Sequence, residues 1–428
     1  MANISVIGGK KICGEIEVQG AKNSVLPVLA ATILCGSECI VHNCPELSDV
    51  RTSVRILAHL GCNVIKDGNT VTVNTAGMDC CEIPDFLMRE MRSSIVFLGA
   101  IIGRCKNAVV SSPGGCELGP RPIDLHLSAL EKLGVEISEE HGFLHCSCGK
   151  GLHGAEINLS FPSVGATENI MLAAATADGT TVIHNAAKEP EISDLADFLN
   201  RAGARIYGSG SDTVVIHGVE RLYGTEHAII PDRIAAATYM AAATVTGGEI
   251  RLDNVMPSHM VSVLWAFREC GCGIELSGKS VLLTAPKHIQ RIPTVRSLVY
   301  PGFPTDAGPI IISVLSLADG TSVFVENIFE SRYKYIDELK RFGTKIKTEA
   351  KVAVIEGVNS LCSADVRCTD LRGGAAVVIA ALAAEGNSHI SEIHHIERGY
   401  EDITGTLARL GADISLKEDQ IEKETVQR

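Results

Sequence analysis

Aromatic side chains are scarce in this chain: Phe, Trp and Tyr make up 4% of its 428 residues, and there is a single Trp. Hydrophobic residues nevertheless reach 46%, so the core must be built from Ala, Val, Ile and Leu. Basic blocks are lacking too. With a formal charge of −13 and no run of Lys and Arg, the chain has no phosphate stripe, which excludes a nucleic-acid surface. Any anionic ligand must then meet a local cluster of cations. No C-x-x-C pair occurs among the fifteen cysteines, an odd number scattered through apolar runs, with C-S-C at 146–148 and C-G-C at 270–272. That argues against a disulfide framework and against a zinc site. The opening MANISVIGGKKICGEIEVQG alternates like a strand and lacks a signal-peptide core, and no apolar run approaches membrane-spanning length. A reducing cytoplasm without membrane insertion is the expected setting, and the length implies two domains.

What is present is a repeat. LAHLGCNVI, LEKLGVEIS, LNRAGARIY, FRECGCGIE, LKRFGTKIK and LARLGADIS each place a glycine between a short amphipathic segment and a strand-like run. The glycines, Gly61, Gly134, Gly203, Gly271, Gly343 and Gly411, are spaced by 73, 69, 68, 72 and 68 residues. Six units of about seventy residues are implied. A second set keeps the same interval: GSECIVHN, CKNAVVSS, GTTVIHN, GGEIRLDN, GTSVFVEN and GNSHISE. Before each comes a run apolar nearly all round, such as NSVLPVLAATIL or GAAVVIAALAA, which predicts a buried helix. Segments such as DLHLSALEKL and KYIDELKRF carry charge on one face and predict outer helices. Each unit therefore reads as strands with one buried and one outer helix, ending in a C-terminal glycine.

The entries to the buried helices bear the chemistry. They hold Lys22 and Asn23, Arg92, Ser163, Asp232 and Arg233, Asp306, and Asp370 with Arg372. A helix start has free N–H groups and a positive dipole end, so acids there cap and anions bind, while a cation there is costly. Singly, Lys22, Arg92 or Arg372 reads as an ordinary ion pair; three at equivalent places point to a cleft for an anionic ligand. Arg332 and Arg398 precede outer helices and suit carboxylate or phosphate oxygens, or simply pair with Glu330 and Glu397. Cys116 lies in the turn SSPGGCELGPRPIDLHL, five residues before Arg121: either a tolerated loop thiol, or one whose pKa the arginines and turn N–H groups lower. Asp306 in P-T-D reads by default as an N-cap, and the pair His394 and His395 reads as structural.

GAKNSVLPVLAA, SSPGGCELGPRPIDLHL, PSVGATENIMLAAA, NAAKEPEI, PGFPTD, TDLR and HIERGYE together resemble, in order and over essentially the whole chain, the UDP-N-acetylglucosamine 1-carboxyvinyltransferase family of enolpyruvyl transferases. The resemblance implies an α/β fold of two inside-out barrel domains, each of three repeated units with buried helices. It places residues 22–230 in a first domain and 1–21 with 231–428 in a second, the active site lying in the cleft between them. It implies phosphoenolpyruvate and UDP-N-acetylglucosamine as small-molecule partners and chemistry that needs no metal or redox cofactor; a monomer or weak homo-oligomer is expected. Cys116 is implied as the general acid, able to form an adduct with phosphoenolpyruvate and to be alkylated by fosfomycin, and Asp306 as the group taking the sugar hydroxyl proton. Lys22 is implied as catalytic too and, with Arg121 and Arg398, matches phosphate contacts; Arg332 and Arg372 are implied near the carboxylate, and Asn23 is implied as a further phosphoenolpyruvate-binding residue. Asn23, Arg92, Arg121, Pro122, Ile123, Asp124, Leu125, Phe161, Pro162, Ser163, Val164, Asp306 and Ile328 match positions around the UDP-sugar.

The chain departs from the family pattern at three places. The usual Gln after P-T-D is missing from PTDAGP, with Ala307, Gly308 and Pro309; D-R-I-E reads DRIAAAT, with Ala235; and aromatic-x-His after the arginine reads Tyr333, Lys334, Tyr335. Two other readings share part of the pattern. A 3-phosphoshikimate 1-carboxyvinyltransferase would have the six units but not the Cys116 loop or HIERGYE. A weakly active UDP-sugar-binding paralogue would fit the departures but not the intact Cys116, Asp306 and Lys22.

Overall fold

The computed structural model describes residues 2–114 and 123–418, in two compact units. The Lys22 unit comprises Gln19–Arg233 with Val299–Gly302; the Asp306 unit comprises the chain up to Val18, Ile234–Leu298, and the chain from Phe303 onward. Each has its own core of Ala, Val, Ile and Leu.

One repeat shows how the pattern folds. The strand Thr294–Arg296 leads to the helix Gly308–Leu315, the strand Thr321–Val325, the outer helix Ile336–Arg341, and a hairpin of Lys345–Glu349 and Val352–Glu356. The first strand runs parallel to the second (Val295 opposite Phe324), and the hairpin adds antiparallel strands beyond it (Phe324 opposite Ala353). Ser322 and Phe324 are buried while Val323 and Val325 on the other face are half-buried, the alternation expected of a sheet with one covered side. The apolar runs are buried helices as expected: Val164–Ala174, Arg233–Thr246 and Leu371–Ala383 are sequestered over nearly their whole lengths.

Two edge strands are exchanged relative to chain order. Cys13–Glu17 runs parallel to Glu249–Asp253 in the Asp306 unit, yet leads to the helix Lys22–Ala31. Glu226–Ala228 runs parallel to Glu38–His42 in the Lys22 unit, yet leads to Arg233–Thr246. The N-terminal strand Ala2–Ile7 fills the place between Asn387–Ser391 and Asp413–Glu418 that a late hairpin strand fills elsewhere. Among the described residues, no helix is long and apolar enough to cross a membrane.

Both recurrent sequence features have a backbone cause. All six spaced glycines have φ between 88° and 107°, just after an outer helix. Gly61 donates to Ala58 O at 3.1 Å and Cys62 to Leu57 O at 3.0 Å, a Schellman closure that only glycine enters without a Cβ penalty. In the second set, Asn43, Asn185 and Asn254 are left-handed (φ 53°, 55° and 54°). Their Nδ2 groups donate at 2.8 Å to the carbonyls of Ile229, Leu159 and Val18, where each parallel edge strand ends. Asn327 does the same to Ser297 O at 3.0 Å. Asparagine tolerates this conformation and supplies the clamp from its own side chain.

The two contributions separate by substitution. Asn185→Gly keeps the backbone and loses the bond, for an expected loss of about 1 kcal/mol. Asn185→Ala adds about 1–2 kcal/mol of left-handed strain. Urea unfolding of both variants checks the order, and equal losses would remove the backbone term.

Candidate active site

Lys22 opens the helix Lys22–Ala31, whose first turn has no side-chain cap, and it is 9% exposed. A buried cation at a positive helix end is doubly unfavourable, and carboxylates offset it. Lys22 Nζ meets Asp49 Oδ2 at 2.9 Å and Lys22 N donates to Asp232 Oδ2 at 3.2 Å. One turn on, Ser24 Oγ donates to Asp194, which also accepts from His227 Nε2 at 2.9 Å and from Ile230 N at 3.4 Å. Asp232 and Asp194 thus anchor a helix start that has no cap of its own. Asn23, beside Lys22, is exposed.

Three further segments of this unit carry expected sugar-side residues. Arg92 opens the turn Arg92–Ile95 and is half-buried. Ser163 caps Val164–Ala174 by accepting from Ala166 N at 3.3 Å, with Phe161 exposed and Pro162 and Val164 half-buried. Ile123 precedes the helix Asp124–Lys132, in which Asp124 is exposed and Leu125 half-buried. Cys116, Arg121 and Pro122 lie outside the described residues. Sequence reasoning missed the residue that gathers these segments. Asn169 accepts from Gly99 N at 2.7 Å, donates to Ile95 O at 3.0 Å, and lies 2.7 Å from His126 Nδ1. A lone amide inside the apolar run ATENIMLAAATA was the available signal.

In the Asp306 unit, Asp306 is no N-cap. Its turn, Thr305–Ala307, aims the carboxylate at two guanidinium groups, Arg332 Nη2 at 2.9 Å from Oδ1 and Arg372 Nε at 3.4 Å from Oδ2. Arg332 therefore pairs with Asp306 and not with Glu330. Both arginines are 2% exposed. Arg332 lies over the Phe329 ring, and Arg372 over Tyr400, whose hydroxyl accepts from Arg372 Nη1 at 3.3 Å. Asp370 caps the helix Leu371–Ala383 by accepting from Arg372 N and Gly373 N, both at 3.0 Å, which offsets a cation in that first turn. Arg332 Nε is buried with no hydrogen-bond partner. Arg398 ends the turn Ile393–Arg398 and is half-buried, as is Ile328.

The departures are closely packed places. A Cβ on Gly308 would come 2.8 Å from Phe324 Cζ, so a larger residue there requires the ring to move. Tyr335 is buried against the start of Leu371–Ala383, where a Cβ on Gly373 would come 2.7 Å from its own Cβ. Tyr333 donates to Phe324 O at 3.2 Å and Lys351 O at 3.0 Å, and Ala235 is wholly buried. Among the described residues, no group of three or more His, Cys, Asp or Glu could hold a metal ion.

A family model described as EPSP synthase (3-phosphoshikimate 1-carboxyvinyltransferase) matches residues 6–407. The chain is 51% identical over 414 residues to UDP-N-acetylglucosamine 1-carboxyvinyltransferase 2 of Caldanaerobacter subterraneus subsp. tengcongensis, covering 97% of this chain and 99% of that protein. The chain belongs to the UDP-N-acetylglucosamine 1-carboxyvinyltransferase family of enolpyruvyl transferases. Another member, UDP-N-acetylglucosamine 1-carboxyvinyltransferase 1 of Symbiobacterium thermophilum, is 47% identical over 415 residues, 96% of this chain and 94% of that one. Solved structures share the mixed α/β fold. The enolpyruvyl transferase NikO from Streptomyces tendae aligns with a TM-score of 0.88 at 24% identity, over 97% of this chain and 99% of that chain. EPSP synthase from Acinetobacter baumannii aligns at 0.75 and 18%, over 98% and 100%.

One buried acid gives a pH test. Glu168 lies on the helix that Ser163 caps and is 5% exposed; burial first, then the nearby Glu191 and Glu189, pushes its carboxyl well above the ordinary range. Arg233 pairs with Glu191 at 3.1 Å. Because the folded pKa of Glu168 exceeds the unfolded one, the native state binds more protons, and stability falls as pH rises from about 4.5 toward the folded value. Glu168→Gln removes that loss. Its melting temperature should exceed the wild-type value by a margin that widens between pH 5 and pH 8; a constant margin would contradict the assignment.

Proposed function

We propose that this chain transfers the enolpyruvyl group of phosphoenolpyruvate to the 3-hydroxyl of UDP-N-acetylglucosamine with release of phosphate, the first committed step of peptidoglycan synthesis. The observation that carries the reading is the near full-length identity to a transferase of that name. The Asp306 cluster supports it: two buried guanidinium groups converge there, and their N–H donors suit the oxygens of an anionic substrate.

The reaction is addition followed by elimination. A proton passes from the Cys116 thiol to the methylene carbon of phosphoenolpyruvate, making the adjacent carbon electrophilic. The sugar 3-hydroxyl attacks that carbon and its proton goes to Asp306. The methyl group so formed then loses a proton, the double bond is restored and the C–O bond to phosphate breaks. Lys22, Arg121 and Arg398 hold the phosphate, and Arg332 and Arg372 the carboxylate. Asn23, Arg92, Ile123, Asp124, Leu125, the Phe161–Val164 turn and Ile328 hold the UDP-sugar. Each unit forms an inside-out barrel of three repeats, residues 22–230 making one domain and 1–21 with 231–428 the other. The substrates bind in the cleft between the domains, in the cytoplasm. Cleft closure excludes water from the charged intermediate.

Phosphate release from phosphoenolpyruvate tests the substrate. Release with UDP-N-acetylglucosamine and none with shikimate 3-phosphate is expected; the reverse moves the chain to the sister activity, and silence with both, together with tight UDP-sugar binding, makes it a binding paralogue. Cys116→Ala should lose release by a hundredfold or more, on the order of general acid catalysis, while keeping UDP-sugar affinity within about threefold. Full activity in that variant would remove Cys116 from the mechanism. Fosfomycin should add covalently to Cys116, and a peptide mass map with the label elsewhere or absent would count against the thiol.

A further inference from the structure

Glu326 follows the strand Thr321–Val325 and directly precedes the clamp residue Asn327. The same repeat position holds His42, His184 and Asp253, which stay half-buried and pair along the sheet surface with Glu226 at 2.6 Å, Glu156 at 2.9 Å and Arg251 at 3.1 Å. Glu326 alone among these four is 1% exposed. A carboxylate is costly to bury unless donors surround it. Here four do. Ser297 Oγ, Ile328 N and Phe329 N donate to Oε1 at 2.8, 2.7 and 3.1 Å, and Thr305 Oγ1 donates to Oε2 at 2.8 Å.

These donors lie on the segments that carry the sugar-side chemistry. Thr305 adjoins Asp306, and its carbonyl accepts from Arg332 Nη2 at 3.2 Å. Ile328 is itself an expected UDP-sugar position. One carboxylate therefore fixes the turn that presents Asp306 and the segment that presents Ile328 relative to each other. We propose that Glu326 is a positioning residue that sets Asp306 and Ile328 in register for the sugar hydroxyl, a role that rests on the activity proposed above. Nothing in it requires Glu326 to touch a substrate. A carboxylate serves where an amide does not, because all four partners donate and a carboxylate only accepts.

Two variants test the register from its two ends. Thr305→Val removes only the tie to Asp306; kcat should fall about tenfold, the worth of one well-made bond to a charged acceptor, with the KM for either substrate within about twofold, and Thr305→Ser should restore it. Glu326→Gln weakens both ties, so kcat should fall and the KM for UDP-N-acetylglucosamine should rise, each by about tenfold, while the KM for phosphoenolpyruvate stays put. A merely structural Glu326 would lower the folded fraction and kcat together and leave both KM values alone, which would overturn the proposal, as would a Thr305→Ser variant no better than Thr305→Val. If the wild-type chain turns over neither acceptor, the activity reading fails by itself. Amide hydrogen exchange then decides the register: about tenfold faster exchange at Ile328 and Phe329 in Glu326→Gln supports it, and unchanged exchange overturns it.

Discussion

Cations at the positive ends of buried helices are the constraint around which each unit is arranged. Lys22 and Arg372 both occupy first turns, where the dipole and the loss of solvent each oppose a positive charge. Neither position is stable without nearby carboxylates. Asp49 and Asp232 serve Lys22; Asp370 and Asp306 serve Arg372. Supplying those acids fixes much else. Asp49 must come from the first turn of the next helix, and Asp306 from a turn held by Thr305 and Glu326. The charges that make the site attractive to an anion are thus the ones that dictate local packing.

The clamp asparagines fix the ends of the parallel edge strands. Each parallel edge strand ends at a carbonyl held by an asparagine side chain, and the segment that follows carries the chain to its next helix. At Val18 and Ile229 the clamp acts on the exchanged strands, just before Lys22 and Arg233. The bridge between Gly20 and Pro231, with Ala21 N donating to Ile230 O at 2.8 Å, ties the two crossings together within the Lys22 unit.

Local rules made much of this readable. The six glycines and the clamp asparagines Asn43, Asn185 and Asn254 are visible in the sequence because backbone conformation at one residue selects them, and the buried helices because their apolar runs have no polar face. The cations at Lys22 and Arg372 stand out for a similar reason, as they contradict the dipole rule. Partners distant in sequence left no such trace. The default of an N-cap failed for Asp306, whose buried counter-charges come from Arg332 and Arg372 and outweigh the N–H groups of its own turn. Asn169, Asp194 and Glu326 escaped notice because each looks like an ordinary polar residue until the segments that it joins are folded together. The excursion Val299–Gly302 into the Lys22 unit has no periodic signature at all.

The departures from the family pattern then acquire a physical meaning. The Phe324 ring lies where a side chain on Gly308 would go, and that ring packs edge-on against Phe303 at 6.2 Å. Phe324 O also accepts from Tyr333, two residues before Tyr335. Tyr335 supports the helix that begins with Arg372 by filling the space under Gly373. Gly308 follows Asp306 by two residues and Gly373 follows Arg372 directly, so both filled spaces adjoin the cluster in which Asp306 meets Arg332 and Arg372. Because the space beside Gly308 and Gly373 is already filled, a larger residue at either place forces its neighbour to move, next to Asp306 in one case and Arg372 in the other.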